Sequence, residues 1–266
     1  MTVEELVRLA LGVAALLILT LAVLRAGQVH LGGAPVVAIA RAAAQLALVG
    51  LLLGGVLTNP PLVALALAAM LAIATRTATG RLRGLESPGR AVVVACTTGA
   101  GASLGVIFAL GVLPFEPRYL VALGGIVIGN TMTAATLAGR HLRAGMLARR
   151  EEIEAWLALG ATMRQAVADI ARPCAGEALV PGLDQTRTTG LVTLPGAFIG
   201  ALLGGASPVQ AARFQLVVLA GLLCAQAITS VLLMHLLGAP RRLVVEPISA
   251  PPARRAGWGS RAAPKL

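Results

Sequence analysis

Lysine is nearly absent from this chain: Lys265 is the only one in 266 residues. A phosphate-cradling loop of the form Gly-x-x-x-x-Gly-Lys-Ser/Thr therefore cannot form, which excludes nucleotide hydrolysis on such a loop. Charge is scarce at 12% of residues, and aromatics make up 3%. A soluble domain of this size needs far more polar surface, so most of the chain is solvated by lipid. The three histidines, His30, His141 and His235, are scattered. No His-Glu-x-x-His pattern or nucleophile elbow accompanies them, which leaves a membrane enzyme a distant reading. Cys96, Cys174 and Cys224 lie far apart, without metal-type spacing. They read as packing residues and do not report the redox compartment.

What the chain has in quantity is apolar and small. It is 57% hydrophobic with 31 glycines, and its mean hydropathy is +0.85. Small residues let helices approach closely, the main route to helix association inside a bilayer. The net charge of +11 sits at the ends of apolar runs and not on one face. That pattern signals membrane topology and gives no reason to expect nucleic acid as a partner. The N-terminus, Met1-Thr-Val-Glu-Glu, is acidic. A secretory signal begins basic, so residues 6–24 read as a retained span.

A helix needs roughly 20 apolar residues to cross a bilayer. Seven runs qualify: 6–24, 35–57, 60–75, 91–113, 119–139, 182–204 and 213–237. The third is short, and Pro60 and Pro61 suit its first helical turn. All are expected to be helices, because an unpaired backbone is not tolerated against lipid and the alternation of barrel strands is missing. One set of loops collects Arg25, Arg76, Arg81, Arg83, Arg90, Arg140, Arg143, Arg149, Arg150, Arg164, Arg172, Arg241 and Arg242; the other holds little beyond Arg8, Arg118 and Arg213. Basic loops stay inside, so the expectation is an all-α polytopic membrane protein with the N-terminus outside and the C-terminus cytoplasmic. Residues 1–239 form the membrane domain in this reading, and 240–266, rich in Pro, Ala and Arg, a disordered cytoplasmic tail. The outer loops, Thr58-Asn59, 113–118 and 205–210, leave no room for a substrate-capturing domain.

The one large inner segment, 140–181, holds the most informative stretch. Ile153, Trp156/Leu157, Gly160, Met163, Val167 and Ile170 fall on one stripe at helical spacing, which predicts a cytoplasmic helix over about 150–173. Glu151, Glu152 and Glu154 crowd its start, where the helix dipole favours negative charge, and Pro173 is expected to stop or bend it. Such a helix either lies on the inner leaflet or enters a cleft on a partner. The first role gives no reason for Gly160, since glycine inside a helix costs about 1 kcal/mol against alanine. A turn, or another backbone coming close, gives one.

The stretch resembles the "EAA" loop of ABC transporter permeases: Glu-Ala-Ala, three residues, Gly, nine residues, Ile, one residue, Leu-Pro. It matches at Glu154, Ala155, Gly160, Ile170 and Pro173, and departs at Trp156 and Arg172. A second resemblance covers nearly the whole chain. Arg41-Ala-Ala-Ala-Gln-Leu46, Ile128-Gly-Asn-Thr-Met132, the run Leu179-Val-Pro-Gly-Leu-Asp-Gln-Thr-Arg-Thr-Thr-Gly-Leu-Val-Thr-Leu-Pro-Gly196, and Gly204-Gly-Ala-Ser-Pro208 look like the FetB-type permease family, linked to iron export. The resemblance implies a multi-pass permease of the bacterial inner (plasma) membrane, working as a homodimer with a separate ABC-type ATP-binding subunit. ATP and Mg would then sit on that partner, leaving this chain without a cofactor. It further implies metal efflux, with some relatives tied to aluminium tolerance.

Several polar positions lie inside the runs. Asn130 is expected to bond a neighbouring helix, or to join Met132 on a substrate path, where a thioether suits some metals. Arg41 and Gln45 sit one turn apart; Arg41 is expected to snorkel to the headgroups, the alternative being that the two line the inner mouth or contact the ATPase. Asp184 and Arg187 share a helix face and are expected to pair locally; a gating or proton-linked site is the alternative. Gly196, Gly200 and Gly204 repeat every fourth residue, for packing within one subunit or across a dimer seam, and Pro195 marks a break. An ion-gradient-driven secondary transporter would carry an inverted repeat, which is not apparent. An FtsX-like ATPase-coupled scaffold is compatible with Leu159-Gly-Ala-Thr162, although such a scaffold normally carries a large external domain.

Overall fold

The computed structural model describes residues 2–57 and 59–240. The expected tail, with Arg241 and Arg242, and Thr58 of one outer loop lie outside the described residues. Among those described, the protein is all-helical and contains no strand beyond two isolated bridges. Six helices are long and apolar enough to cross a membrane. The chain divides into two compact units, one ending at Leu62 and one beginning at Val63.

The first unit holds α1 (Val3–Ala26) and α2 (Ala34–Leu57). Thr2 and Glu5 start α1 with a reciprocal capping box, and the Glu4–Arg8 pair at 2.6 Å braces its first turns. No residue of α1 is buried. Arg41 and Gln45 are both exposed on α2.

The second unit is built on α3 (Pro60–Arg81, whose first residues fall at the unit boundary), α4 (Pro88–Ala109), α5 (Pro117–Ala148) and α10 (Pro208–Leu237). Prolines open all four, where the missing N–H has no intrahelical partner to lose. Helices α4, α5 and α10 pack together as the centre of this unit. A methyl group at Gly99 of α4 would collide with Thr229 Oγ1 and the Ala225 carbonyl of α10, so the two backbones can meet here only across glycine. Hydroxyls tie the same pair: Ser103 donates to the Gly221 carbonyl at 2.8 Å and Thr229 to the Ala95 carbonyl at 3.3 Å.

Two expected elements differ. The run 182–204 is not one helix: α8 (Val180–Thr188) and α9 (Gly196–Leu203) are separated by an irregular stretch. Gly190 there has φ +88°, and Pro195 caps α9. The break anticipated at Pro195 is real; the uninterrupted span is not. The single cytoplasmic helix is likewise two, α6 (Arg150–Ala158) and α7 (Met163–Glu177). Pro173 does not end α7, which continues to Glu177. Its cost is the Asp169 carbonyl, deprived of its helical donor.

Candidate coupling surface and intramembrane polar groups

Helix α5 runs on from its apolar stretch to Ala148 and breaks at Arg149, which has φ −110° and ψ 31°. Two local ion pairs then set the start of α6. Arg149 donates to both carboxylate oxygens of Glu152 at 2.7 and 2.5 Å, and Arg150 donates to Glu154 at 2.7 Å. The Arg149 guanidinium holds the Glu152 carboxyl below the usual glutamate range, and Glu152 in turn raises Arg149.

The end of α6 is written in its capping residues. Gly160 adopts φ +88°. Its N–H donates to the Leu157 carbonyl, and Ala161 N–H donates to that of Trp156, both at 3.0 Å. This is a Schellman closure with glycine at the left-handed position. Thr162 then caps α7, its hydroxyl accepting from Gln165 N–H while its own N–H donates to Gln165 Oε1 at 2.8 Å. The four residues Leu159-Gly-Ala-Thr162 are therefore one helix stop followed at once by a helix start.

This hairpin has two faces. Ile153, Val167 and Ile170 are buried in one cluster with Leu142 and Met146 of α5 and Leu233 of α10. Ile170 lies so close to Gly145 that a methyl there would strike it. Arg164 reaches His235 at the end of α10, 3.3 Å to the ring and 3.4 Å to the carbonyl. Burial pushes the Cys174 thiol of α7 upward in pKa, and its Sγ–H donates to the Ile170 carbonyl at 3.0 Å. On the outer face Glu154, Ala155 and Gly160 are exposed, with Trp156 at 46% and Leu159 at 82%. Of the residues expected to act together, Glu154, Ala155 and Gly160 share the tip. Ile170 is buried behind it, and Pro173 is exposed further along α7.

Deeper in the unit, Asn130 of α5 donates to its own helix at the Ile126 carbonyl (2.9 Å) and accepts from Gln226 Nε2 of α10 at 3.1 Å. The bond to a neighbouring helix is thus present. Met132 packs among hydrophobic side chains of both core clusters. Gln226 was not singled out from the sequence, although an amide inside the uncharged run 214–234 is a legible signal of an interhelical bond. Its Oε1 is buried without a partner and faces Gly182 of α8. Asp184 and Arg187 pair at 3.7 Å, as expected. Among the described residues no group of three or more His, Cys, Asp or Glu could hold a metal ion.

These features define a multi-span α-helical membrane protein with a capped helical hairpin beside its central helices. The chain belongs to the family described as "Uncharacterised protein family (UPF0014)", whose model matches residues 7–240. It is 35% identical over 237 residues to the rice "UPF0014 membrane protein STAR2", covering 88% of this chain and 83% of that one. It is 32% identical over 222 residues to "Protein ALUMINUM SENSITIVE 3" of Arabidopsis thaliana, covering 82% and 81%. It is 34% identical over 143 residues to the Escherichia coli "Probable iron export permease protein FetB", covering 54% and 55%. No solved structure matches the chain.

Proposed function

We propose that this chain is the permease subunit of an ABC exporter in a bacterial inner membrane, with ATP and Mg held by a separate ATP-binding subunit. The observation that carries the reading is the two-faced hairpin α6–α7. Its inner face is locked into the bundle through Ile153, Val167 and Ile170, while its tip presents Glu154, Ala155, Trp156 and Leu159 to a partner. A rigid element anchored on one side and open on the other can transmit a push from a closing ATPase dimer to α5 and α10. An exposed tryptophan and leucine rimmed by acidic residues is the composition of a protein contact and not of a solvated loop. Two ATPases call for two permease copies, so a homodimer is part of the proposal. The substrate class, metal ions such as iron, rests on the name of the FetB relative. Asn130 and Met132 stay candidates for the pathway wall, because the Gln226 oxygen beside Asn130 has polar capacity to spare.

The test is co-expression with a tagged ATP-binding cassette subunit from the same genome. The wild-type chain is expected to co-purify with that subunit and stimulate its ATPase activity. The pair Trp156→Asp and Leu159→Asp is expected to insert normally and to lose both. Undiminished co-purification and stimulation by the double variant, or metal efflux by the chain with no ATPase present, overturns the reading.

A further inference from the structure

Between Arg213 and His235, helix α10 carries no charge. At 1.5 Å per residue that run spans about 31 Å, the thickness of a hydrocarbon core. His235 therefore stands at one edge of the apolar layer, where lipid headgroups begin. Helix α7 packs on α10 at this edge. Arg164 reaches the His235 ring and carbonyl, and a Cβ on Gly238 would stand 3.5 Å from the Ala171 methyl.

A cavity of about 380 Å³ opens between the two helices there. Its buried lining is small or apolar: Ala171 and Ala175 of α7, Met234 and Gly238 of α10. Its exposed lining is basic, formed by Arg164, Arg172 and His235, and no acidic side chain borders it. Val231, one turn deeper along α10 than His235, also lines it and is 61% exposed, so the cavity opens toward the hydrocarbon. Capping the last turn of α10 accounts for Arg164, since a cation is favoured at a helix C-terminus. It does not account for Arg172. Asp169 and Glu177 flank Arg172 on α7, yet among the described residues no ion pair closes on either arginine. Asp169 acts on Arg149 instead.

We propose that this cavity binds the phosphate of an anionic phospholipid, with Arg164 and Arg172 donating to its oxygens and an acyl chain passing Val231 into the bilayer. The occupant follows from charge and depth. Guanidinium N–H groups match phosphate oxygens, and basic pockets between helices at the headgroup level are where acidic lipids are held. A small free anion would need the charges alone and would gain nothing from the apolar wall. The segment after Pro240 has the wrong sign, with Arg241, Arg242, Arg254, Arg255, Arg261 and Lys265 against Glu246. A lipid held here fastens α7, and with it the α6–α7 hairpin, to the headgroup layer. The site stands whatever the chain carries and whether or not an ATPase joins it.

The test uses the purified full-length chain in nanodiscs of equal parts phosphatidylglycerol and phosphatidylcholine, with retained lipid weighed by native mass spectrometry. The wild-type chain is expected to keep phosphatidylglycerol selectively. Arg164→Gln with Arg172→Gln is expected to weaken that retention roughly 25-fold, about fivefold per arginine. Arg81→Gln with Arg140→Gln removes the same charge from exposed positions outside the cavity and is expected to leave retention unchanged. Ala168→Phe keeps both arginines but fills the groove that Ala168 lines. It is expected to weaken retention too, which separates loss of the site from a folding defect in the double arginine variant. Equal retention of phosphatidylcholine, an equal loss in the control pair, or undiminished retention in the double arginine variant or in Ala168→Phe overturns the proposal. Release of the lipid by inorganic phosphate overturns it as well and makes this a small-anion site.

Discussion

Gly160 is required for its backbone and not for its size. No heavy atom lies within 4 Å of where its Cβ would be, yet its φ is +88°. A side chain there would enter open space but would still pay the left-handed penalty, about 1–2 kcal/mol. The penalty is milder for asparagine, which tolerates this region. Gly160→Ala and Gly160→Leu, neither branched at Cβ, should therefore lower thermal stability by similar amounts, and Gly160→Asn by less. A steep dependence on side-chain volume, measured by thermal unfolding of the purified chain, would show that something packs on the glycine. The same variants assayed with the ATPase subunit separate the turn from the docking surface. Gln226 makes a contrasting case: its side chain joins α10 to Asn130 of α5 and abuts Gly182 of α8, so one amide touches three elements.

At the scale of elements, the hairpin shows what periodicity can and cannot carry. Ile153, Val167 and Ile170 were legible as a buried stripe, and all three are buried. The same stripe hid the turn, because a four-residue stop and start keeps the apolar residues of both helices on the inward side. The signal for the turn was chemical: a glycine followed by Thr162 and, three residues on, Gln165. Trp156 was read as part of the stripe and instead faces outward, since burial depends on which neighbours α5 and α10 supply. In 182–204, hydropathy joined two short helices, whereas Gly190 and Pro195 marked where they part. The start of α6 offers a pH test. Arg149 holds the Glu152 carboxyl below its ordinary range, so the pair steadies the α5–α6 junction fully above that range, about pH 4.3. That contribution is lost as pH falls through the lowered folded value. In a Trp258→Phe background, Trp156 fluorescence should change with a midpoint under the ordinary carboxylate value, and Glu152→Gln should remove that component. An identical titration in the two proteins rules out the clasp.

For the whole molecule, the decisive quantity is the number of crossings. Six helices are long and apolar enough to span, and an even number would leave both termini on one side. The broken pair α8–α9 is the seventh crossing if it traverses the full depth, and its contacts along α10 progress in one direction. Arg164, at the start of α7, meets His235, and Gly182 meets Gln226. Thr189 and Gly190 share a cavity with Gln215 and Leu219, and Gly204 shares one with Gln210 and Arg213. From Gly182 to Gly204 these neighbours move along α10 from Gln226 to Arg213, whereas a re-entrant loop would double back to the level of His235. If α8–α9 completes the crossing, the count is odd, and the arginine-rich connections and the α6–α7 tip would lie on the side where basic loops are expected. An epitope ahead of Thr2 should then be reached by antibody in right-side-out vesicles, and one after Leu266 only in inverted vesicles. Cysteine at Trp156 should label from the same side as the C-terminal epitope. Both termini on one face would make α8–α9 re-entrant. The hairpin tip would then have to share that face with both termini to remain in reach of a cytoplasmic ATPase.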